Sequence, residues 1–225
     1  NLDFFECDLS LVANVKDLSD KIKQKYSKID VLLNNAGGAN KTKQITTEGL
    51  EKTFATNQMN YFVLSTELLE IISESDDGRI VNVASNAHIG AEVDYENINS
   101  EKSFSAWTSY CVSKLMNIMF TYQLSSIQDK VSVNVLHPGF VDTNIAGNEG
   151  NFIKYIVKLG AKMFARTVDS GADSSIYLST SDEVQNVSGK YFFKCKEIKS
   201  SRASYNKEDW QKVWDLCNEY KIKLI

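Results

Sequence analysis

The segment FSAWTSYCVSKLMNIMFTYQLSS occupies residues 104–126 of the 225-residue chain. Its apolar side chains recur at intervals of three and four, a spacing that predicts a long and mostly buried helix. Tyr110 and Lys114 lie one turn apart on that helix, so their side chains stand roughly 5–6 Å from each other. The helix is therefore expected to hold a phenol beside an ammonium group.

The pair formed by Tyr110 and Lys114 has a chemical interpretation. A free tyrosine has a pKa of about 10, and bringing it close to neutrality requires about 3 units, or roughly 4 kcal/mol. A lysine charge about 4 Å away, at an effective dielectric of about 20, supplies around 4 kcal/mol. The pair is a candidate acid–base couple, although the same spacing also occurs in helices that bury tyrosine and expose lysine.

On both sides of this helix, short apolar segments alternate with amphipathic ones. Strands are predicted at residues 2–6, 29–33, 79–84, 131–136 and 190–194. Further helices are predicted after Ser10, which is the expected N-cap, and at residues 47–73, 170–179 and 206–220. Continuous apolar strands separated by helices are typical of a parallel sheet covered on both faces. The predicted class is α/β, doubly wound.

Composition limits the function further. With 43% apolar and 24% charged residues, the chain suits one globular domain spanning residues 1–225. A net charge of −4 does not favour binding to nucleic acid, which usually requires a basic surface. The four cysteines are far apart and there are two histidines, which disfavours a metal site or a disulfide framework. An intracellular setting is expected, cytoplasmic or on the cytosolic face of a membrane, and no apolar run reaches the ~18 residues of a membrane-spanning helix.

Three predicted strands end in small polar or glycine-containing sequence, namely 34–38 (NNAGG), 85–88 (SNAH) and 137–139 (HPG). In a doubly wound sheet, ligands bind at the carboxyl ends of the strands. Gly37 and Gly38 permit close approach of a ligand, although glycine turns also end strands for local reasons. Asn57 lies in a helix among apolar neighbours, where a structural role in bonding backbone carbonyls and a role in proton transfer are equally expected.

Together these residues resemble the short-chain dehydrogenases/reductases, through Asn34-Asn35-Ala36-Gly37, Asn57, Ser85, Tyr110-x-x-x-Lys114 and Pro138-Gly139, in that order. The sequences at 79–88, 110–114 and 137–139 are most similar to the retinol dehydrogenase branch. The resemblance covers nearly the whole chain. It implies a Rossmann-like sheet and hydride transfer between NAD(P)(H) and a lipophilic carbonyl or alcohol such as a retinoid or steroid.

The resemblance also implies a role for each matching residue. Tyr110 would be the general acid/base, Lys114 would lower its pKa and bind the nicotinamide ribose, and Ser85 would hydrogen-bond the substrate oxygen. Asn57 would complete a proton relay through water. The cofactor, NADP or NAD with NADP slightly favoured, would contact Asp8, Leu9, Asn35, Ala36, Gly37, Tyr110, Lys114, Pro138, Gly139, Val141 and Thr143. Ser85 as a strand-end cap and Thr143 as a helix cap are the alternatives.

Residues 140–166 are the predicted substrate lid. Six apolar residues in it suggest a lipophilic substrate: Phe152, Ile153, Ile156, Leu159, Met163 and Phe164. Three lysines four residues apart form a basic stripe, for which a solvated face is favoured over contact with anionic lipid: Lys154, Lys158 and Lys162. Membrane-surface association and a homodimer are open alternatives, and no metal ligand is predicted.

The front of the chain departs from the family pattern. The family opens with a strand, a Thr-Gly-x-x-x-Gly-x-Gly turn and a helix that receives the pyrophosphate, and the sequence has no such turn. We therefore expect the first two strands and their helices to be absent, leaving strand 2–6 without a hydrogen-bonding neighbour. Two other functions stay open: a catalytically inactive relative that serves as a nucleotide- or protein-binding scaffold, and a sugar-nucleotide epimerase or dehydratase.

Overall fold

The structure is a computed structural model that describes residues 2–139 and 168–225. The predicted lid at residues 140–166, including Val141 and Thr143, lies outside the described residues. Expectations about the lid, its apolar face and its lysine stripe therefore stay predictions.

A five-stranded sheet forms the centre of the described fold. Its strands run in the spatial order β1-β2-β3-β4-β5, and they are β1 (Val31–Asn34), β2 (Arg79–Val83), β3 (Ser132–Leu136), β4 (Tyr191–Phe193) and β5 (Lys196–Ile198). The first four strands are parallel, whereas β5 pairs antiparallel with β4. In the central register, Arg79 of β2 faces Val31 on one side and Ser132 on the other. The predicted α/β class is confirmed.

Six α-helices connect and cover the strands in the described ranges: α1 (Val12–Lys25), α2 (Lys52–Phe54), α3 (Asn60–Ile72), α4 (Ala106–Ile127), α5 (Val168–Thr180) and α6 (Lys207–Leu224). A π-helical segment, Ala55–Met59, joins α2 to α3 without a break. A one-turn 3-10 helix at Asn86–His88 follows β2. The helices predicted around residues 47–73, 104–126, 170–179 and 206–220 are confirmed, with shifts of a few residues at their ends.

The two faces of the sheet have separate cores, because successive strand residues point to opposite sides. Ile80 of β2 packs into the larger core with α1, α3, α4 and α6. Its neighbour Val81 packs on the other face with Leu178 of α5. Helices on both faces leave the carboxyl ends of β1, β2 and β3 as the edge at which polar residues gather.

The predicted strand at residues 2–6 is wrong. These residues form no strand in the structure, and the side chains of Leu2 and Phe4 are 96% and 86% exposed. A strand needs a neighbouring backbone to satisfy its N–H and C=O groups, and no described strand pairs with this segment. Asp3 instead forms an ion pair with Lys25 at 2.6 Å, at the end of α1.

The predicted N-cap of α1 is also wrong. Leu11 occupies the N-cap position and makes no side-chain cap. The free N–H groups of Val12 and Ala13 instead donate to the carboxylate of Glu48, at 2.6 Å and 2.9 Å. Ser10 donates to the carboxylate of Asp8. A distant acid therefore supplies the negative charge that a helix N-terminus favours.

Candidate active site

The candidate site lies where β1, β2 and β3 end and α4 passes beside them. Ser105 caps α4 by accepting a hydrogen bond from the Thr108 N–H. This cap sets the start of the helix and hence the rotation of Tyr110 and Lys114, both of which are buried. As predicted from their spacing, the two side chains lie on the same side of the helix, with the Lys114 Nζ 6.0 Å from the Tyr110 ring centre.

Lys114 is held by a set of oxygens and rings. Its Nζ donates to the backbone carbonyl of Val83 at 2.9 Å and to the side-chain oxygen of Asn117 at 3.3 Å. The ring of Tyr61 lies 5.3 Å from the same nitrogen. Because no carboxylate compensates for its lost hydration in these contacts, burial lowers the pKa of Lys114 to about 7.

Burial has the opposite effect on Tyr110. Desolvation raises the pKa of the Tyr110 phenol, and its interaction with the Ser85 side chain offsets part of that rise. The net shift is therefore upward, and the lowering of this pKa by Lys114 stays a prediction. The Lys114 nitrogen is directed at the Val83 carbonyl, and burial lowers the pKa of Lys114 itself.

Ser85 has the strand-end role that its sequence position suggested, whereas its hydrogen bond to a substrate oxygen stays a prediction. Its hydroxyl accepts a hydrogen bond from the Ala87 N–H at 3.2 Å and so caps the turn Asn86–His88. The same side chain interacts with the Tyr110 phenol and opposes the rise in its pKa. The strand-end cap thus places a hydroxyl beside the phenol at the end of β2.

Asn57 lies in the π-helical segment and is fully buried. Its side chain bonds the backbone of Gly38 twice, accepting from the N–H and donating to the C=O, each at 2.8 Å. It also donates to the Ser113 hydroxyl at 2.9 Å. These contacts give Asn57 a structural role, in which it ties the loop after β1 to α4.

The predicted cofactor-binding residues of the loop after β1 lie beside this centre. Asn35, Ala36 and Gly37 are exposed. A Cβ added to Gly37 would lie 3.0 Å from the Asn57 side-chain oxygen and 3.4 Å from the Lys114 Nζ. The absence of a side chain at Gly37 therefore keeps the approach to Lys114 open.

The remaining predicted contacts lie on other segments. Asp8 is exposed, and hydrogen bonds from Ser10 lower the pKa of its carboxyl group. Leu9 packs against the larger core instead of projecting outward. Pro138 and Gly139 follow β3, and Gly139 adopts a φ of 83°, which glycine accepts without strain.

Sequence reasoning missed one residue at the centre of the site, Asn117. It is fully buried, and its amide donates to the Asn57 carbonyl at 2.8 Å and to the Gln58 side chain at 2.9 Å. It also accepts from Lys114. An asparagine on the buried face of a helix, one turn after Lys114, was the available signal, since a buried amide needs partners.

Comparisons with known proteins identify the family of the chain. The family model described as short chain dehydrogenase matches residues 1–153. Retinol dehydrogenase 14 of Homo sapiens is 35% identical over 224 residues, which is 98% of this chain and 66% of that protein. Polyprenol dehydrogenase of Homo sapiens is 31% identical over 221 residues, 95% of this chain and 67% of that protein. The chain thus spans about two thirds of the length of these relatives.

Solved structures share the fold. A crystal structure of an uncharacterized protein from Mycobacterium Paratuberculosis has a TM-score of 0.75 and 25% identity, covering 97% of this chain and 75% of that one. A short chain dehydrogenase from Burkholderia cenocepacia in complex with NADP has a TM-score of 0.63 and 20% identity, covering 84% and 73%. By its sequence matches, the chain belongs to the short-chain dehydrogenase family and is a member of its retinol dehydrogenase branch.

Proposed function

We propose that the protein is an NAD(P)-dependent oxidoreductase that transfers a hydride between the nicotinamide cofactor and a lipophilic carbonyl or alcohol. The observation that carries this proposal is the placement of the Ser85 side chain against the Tyr110 phenol, where it opposes the rise in the phenol pKa, beside the buried amino group of Lys114. A hydroxyl, a phenol and a cation at the ends of parallel strands are the groups needed to bind a carbonyl oxygen and give it a proton.

The residues present fit the nicotinamide-ribose half of the cofactor. Gly37 leaves open space in front of the Lys114 Nζ, and that nitrogen has donors suited to ribose hydroxyls. Asn35 and Ala36 are exposed on the same loop, and Asp8 presents a carboxylate for an adenine amino group. When bound, the cofactor supplies or accepts the hydride, and the protein supplies binding, orientation and proton transfer.

In the direction of reduction, Ser85 would orient the carbonyl oxygen and Tyr110 would protonate it. The raised pKa of Tyr110 keeps the phenol protonated at neutral pH, which suits a proton donor. Lys114 would hold the ribose and bias the phenol electrostatically. Asn57 would keep the loop after β1 in position through its two bonds to Gly38, and the water relay at Asn57 remains part of the proposal.

A lipophilic substrate is supported by the relatives, which are named for retinol and polyprenol. Apolar side chains also lie next to the catalytic groups. Trp107 is 42% exposed, and its ring centre is 6.4 Å from that of Tyr110. Ile89, just after the Ser85 turn, is 62% exposed. In the ranges that the structure describes, no helix is both long and apolar enough to cross a bilayer.

The test uses the full-length protein with NADPH or NADH carrying deuterium on the transferable position of the nicotinamide. Retinaldehyde, a longer isoprenoid aldehyde and a short hydrophilic aldehyde serve as acceptors. We expect deuterium in the alcohol product of the two lipophilic aldehydes. Cofactor binding with no transfer to any acceptor would contradict the proposal and favour the inactive scaffold, while exclusive use of the hydrophilic aldehyde would contradict the lipophilic substrate class.

A further inference from the structure

His88 is a buried histidine three residues after Ser85, and both of its ring nitrogens have a backbone partner. The Nδ1 lies 2.7 Å from the Ser85 carbonyl oxygen, and the Nε2 lies 3.0 Å from the backbone nitrogen of Ser201. The Ser85 carbonyl also accepts from the His88 N–H at 3.2 Å. The imidazole therefore bridges the turn that carries Ser85 and a segment more than a hundred residues later.

The two partners fix the state of the ring. A carbonyl oxygen can only accept, so Nδ1 must carry a proton. A backbone N–H can only donate, so Nε2 must be unprotonated. The ring is thus neutral, with its proton on Nδ1. Protonation of Nε2 would set two donors against each other and break the bond to Ser201.

The segment held by His88 is itself fastened to the helix that carries Tyr110. The Tyr122 hydroxyl of α4 lies 2.8 Å from the hydroxyl of Ser200. The Ser200 N–H donates to the Tyr205 hydroxyl at 3.1 Å. Residues 200–205 therefore connect α4, through His88, to the carbonyl of Ser85.

We infer that His88 is a positioning residue for Ser85: it fixes Ser85 relative to Tyr110 by joining the Ser85 turn to residues 200–205. This inference rests on the proposed function, because it concerns the placement of the hydroxyl that would bind the substrate oxygen. His88 itself does not touch the substrate. A displacement of about 1 Å in a catalytic group can lower the rate about 100-fold, so a bridge of this kind affects turnover.

The pH dependence follows from the neutral ring. Burial lowers the pKa of His88, and the hydrogen bond to Ser85 opposes this effect only in part. The bridge is therefore present at neutral pH and lost as the pH falls through this lowered pKa. The titratable groups on the packed elements are tyrosines: Tyr191 of β4, Tyr110 and Tyr122 of α4, and Tyr205 of residues 200–205. Burial raises the pKa of the first three, whereas for Tyr205 this effect is outweighed by hydrogen bonds with Ser200, which leave its pKa lowered. The nearby cations Lys199 and Arg202 are exposed.

The variant that tests the bridge most specifically is Ser201→Pro, which removes the N–H donor to the His88 Nε2 and leaves His88 itself unchanged. Ser201 has a φ of −65°, which matches the value of about −65° that proline requires. Ser201→Ala is the matched control, because it keeps the N–H and removes a hydroxyl that has no hydrogen-bond partner among the described residues. His88→Asn is a second variant, in which the amide can still donate to Ser85 but has no acceptor that reaches Ser201.

In the full-length protein, we expect Ser201→Pro and His88→Asn to lower kcat/KM for the aldehyde about 10- to 100-fold. The dissociation constant of the cofactor should stay within about twofold of the wild-type value. A general loss of structure would instead weaken cofactor binding together with turnover. The wild type should lose activity at acidic pH as the bridge breaks. Ser201→Pro and His88→Asn lack the bridge at every pH, so both should lack this acid limb, whereas Ser201→Ala should keep it.

A direct measurement on the wild type needs no variant. The ¹⁵N shifts of the His88 ring should report a neutral Nδ1–H tautomer at neutral pH, and the Ser201 amide should titrate together with the ring. An Nε2–H tautomer, or kinetics of Ser201→Pro equal to those of Ser201→Ala, would overturn the inference while leaving the proposed function intact. A wild type that catalyses no hydride transfer would instead overturn the proposed function.

Discussion

The side-chain amide of Asn117 donates a hydrogen bond to the backbone carbonyl of Asn57 at 2.8 Å. This contact joins α4 to the π-helical segment, and the oxygen of the same amide accepts from Lys114. One side chain therefore sets the distance between two predicted catalytic residues. Thr121 extends the network by donating to the Asn117 carbonyl at 2.8 Å.

Replacing Asn117 by leucine should lower both stability and activity. The change leaves the Asn57 carbonyl and the Gln58 side chain without their donor, and an unsatisfied buried polar group costs about 1–3 kcal/mol. We expect the free energy of unfolding in urea to fall by about this amount and kcat/KM to fall about 10- to 100-fold. Asn218→Leu, at a partly exposed position of α6, is the control. Equal effects of the two substitutions would contradict the bridging role.

Lys114 should make stability depend on pH. Its pKa is about 7 in the folded state against 10.5 for the free side chain, so the unfolded chain binds more protons between these values. Stability should therefore rise with pH, by about 1 kcal/mol from pH 7 to pH 8. Lys114→Met removes this contribution. The difference in unfolding free energy between wild type and variant, measured at both pH values, should change by that amount, and a constant difference would contradict the lowered pKa.

Gly37→Ala should weaken cofactor binding. The new Cβ would lie 3.0 Å from the Asn57 side-chain oxygen and 3.4 Å from the Lys114 Nζ, which forces Asn57 to shift. Overpacking of this kind costs about 1–3 kcal/mol, equivalent to a rise of about 5- to 150-fold in the dissociation constant. Titration of the full-length protein with NADPH measures the effect. Ala39→Ser, on the same loop but not a predicted cofactor contact, should bind normally. Normal binding by Gly37→Ala would refute the close approach.

Glu48→Ala should destabilise α1. The Glu48 carboxylate accepts from the N–H groups of Val12 and Ala13, so its loss leaves two donors of the first turn without a partner. We expect a decrease of about 1–2 kcal/mol in the free energy of unfolding. Ser10→Ala is the comparison, since Ser10 bonds Asp8 and does not cap the helix. A larger loss for Ser10→Ala would restore Ser10 as the cap.

The sequence predicted the features that depend on local pattern. The long buried helix and the apolar strands at 79–84 and 131–136 follow from periodicity, and the structure contains them. Tyr110, Lys114 and Ser85 converge because parallel strands end at one edge.

Other features depend on contacts or geometry that local pattern does not encode. The Glu48 cap joins residues 35 and 36 positions apart. Strand β5 was not predicted from the sequence. Its hairpin turn places Lys194 and Cys195 at positive φ values of 51° and 59°. Turns of this kind usually carry Asn-Gly, so Lys-Cys gives no sequence signal for a hairpin. The direction of the Tyr110 pKa shift depends on burial, which spacing along a helix does not give.

The most direct test of the account compares Tyr110→Phe with wild type in the full-length protein, measured as kcat/KM for the best lipophilic aldehyde. Tyr177→Phe on α5 is the control, because its hydroxyl bonds Glu183 near the surface. We predict a loss of about 100-fold or more in Tyr110→Phe, with cofactor binding retained, and little change in the control. Turnover by Tyr110→Phe at the wild-type rate would contradict the assignment of Tyr110 as the proton donor.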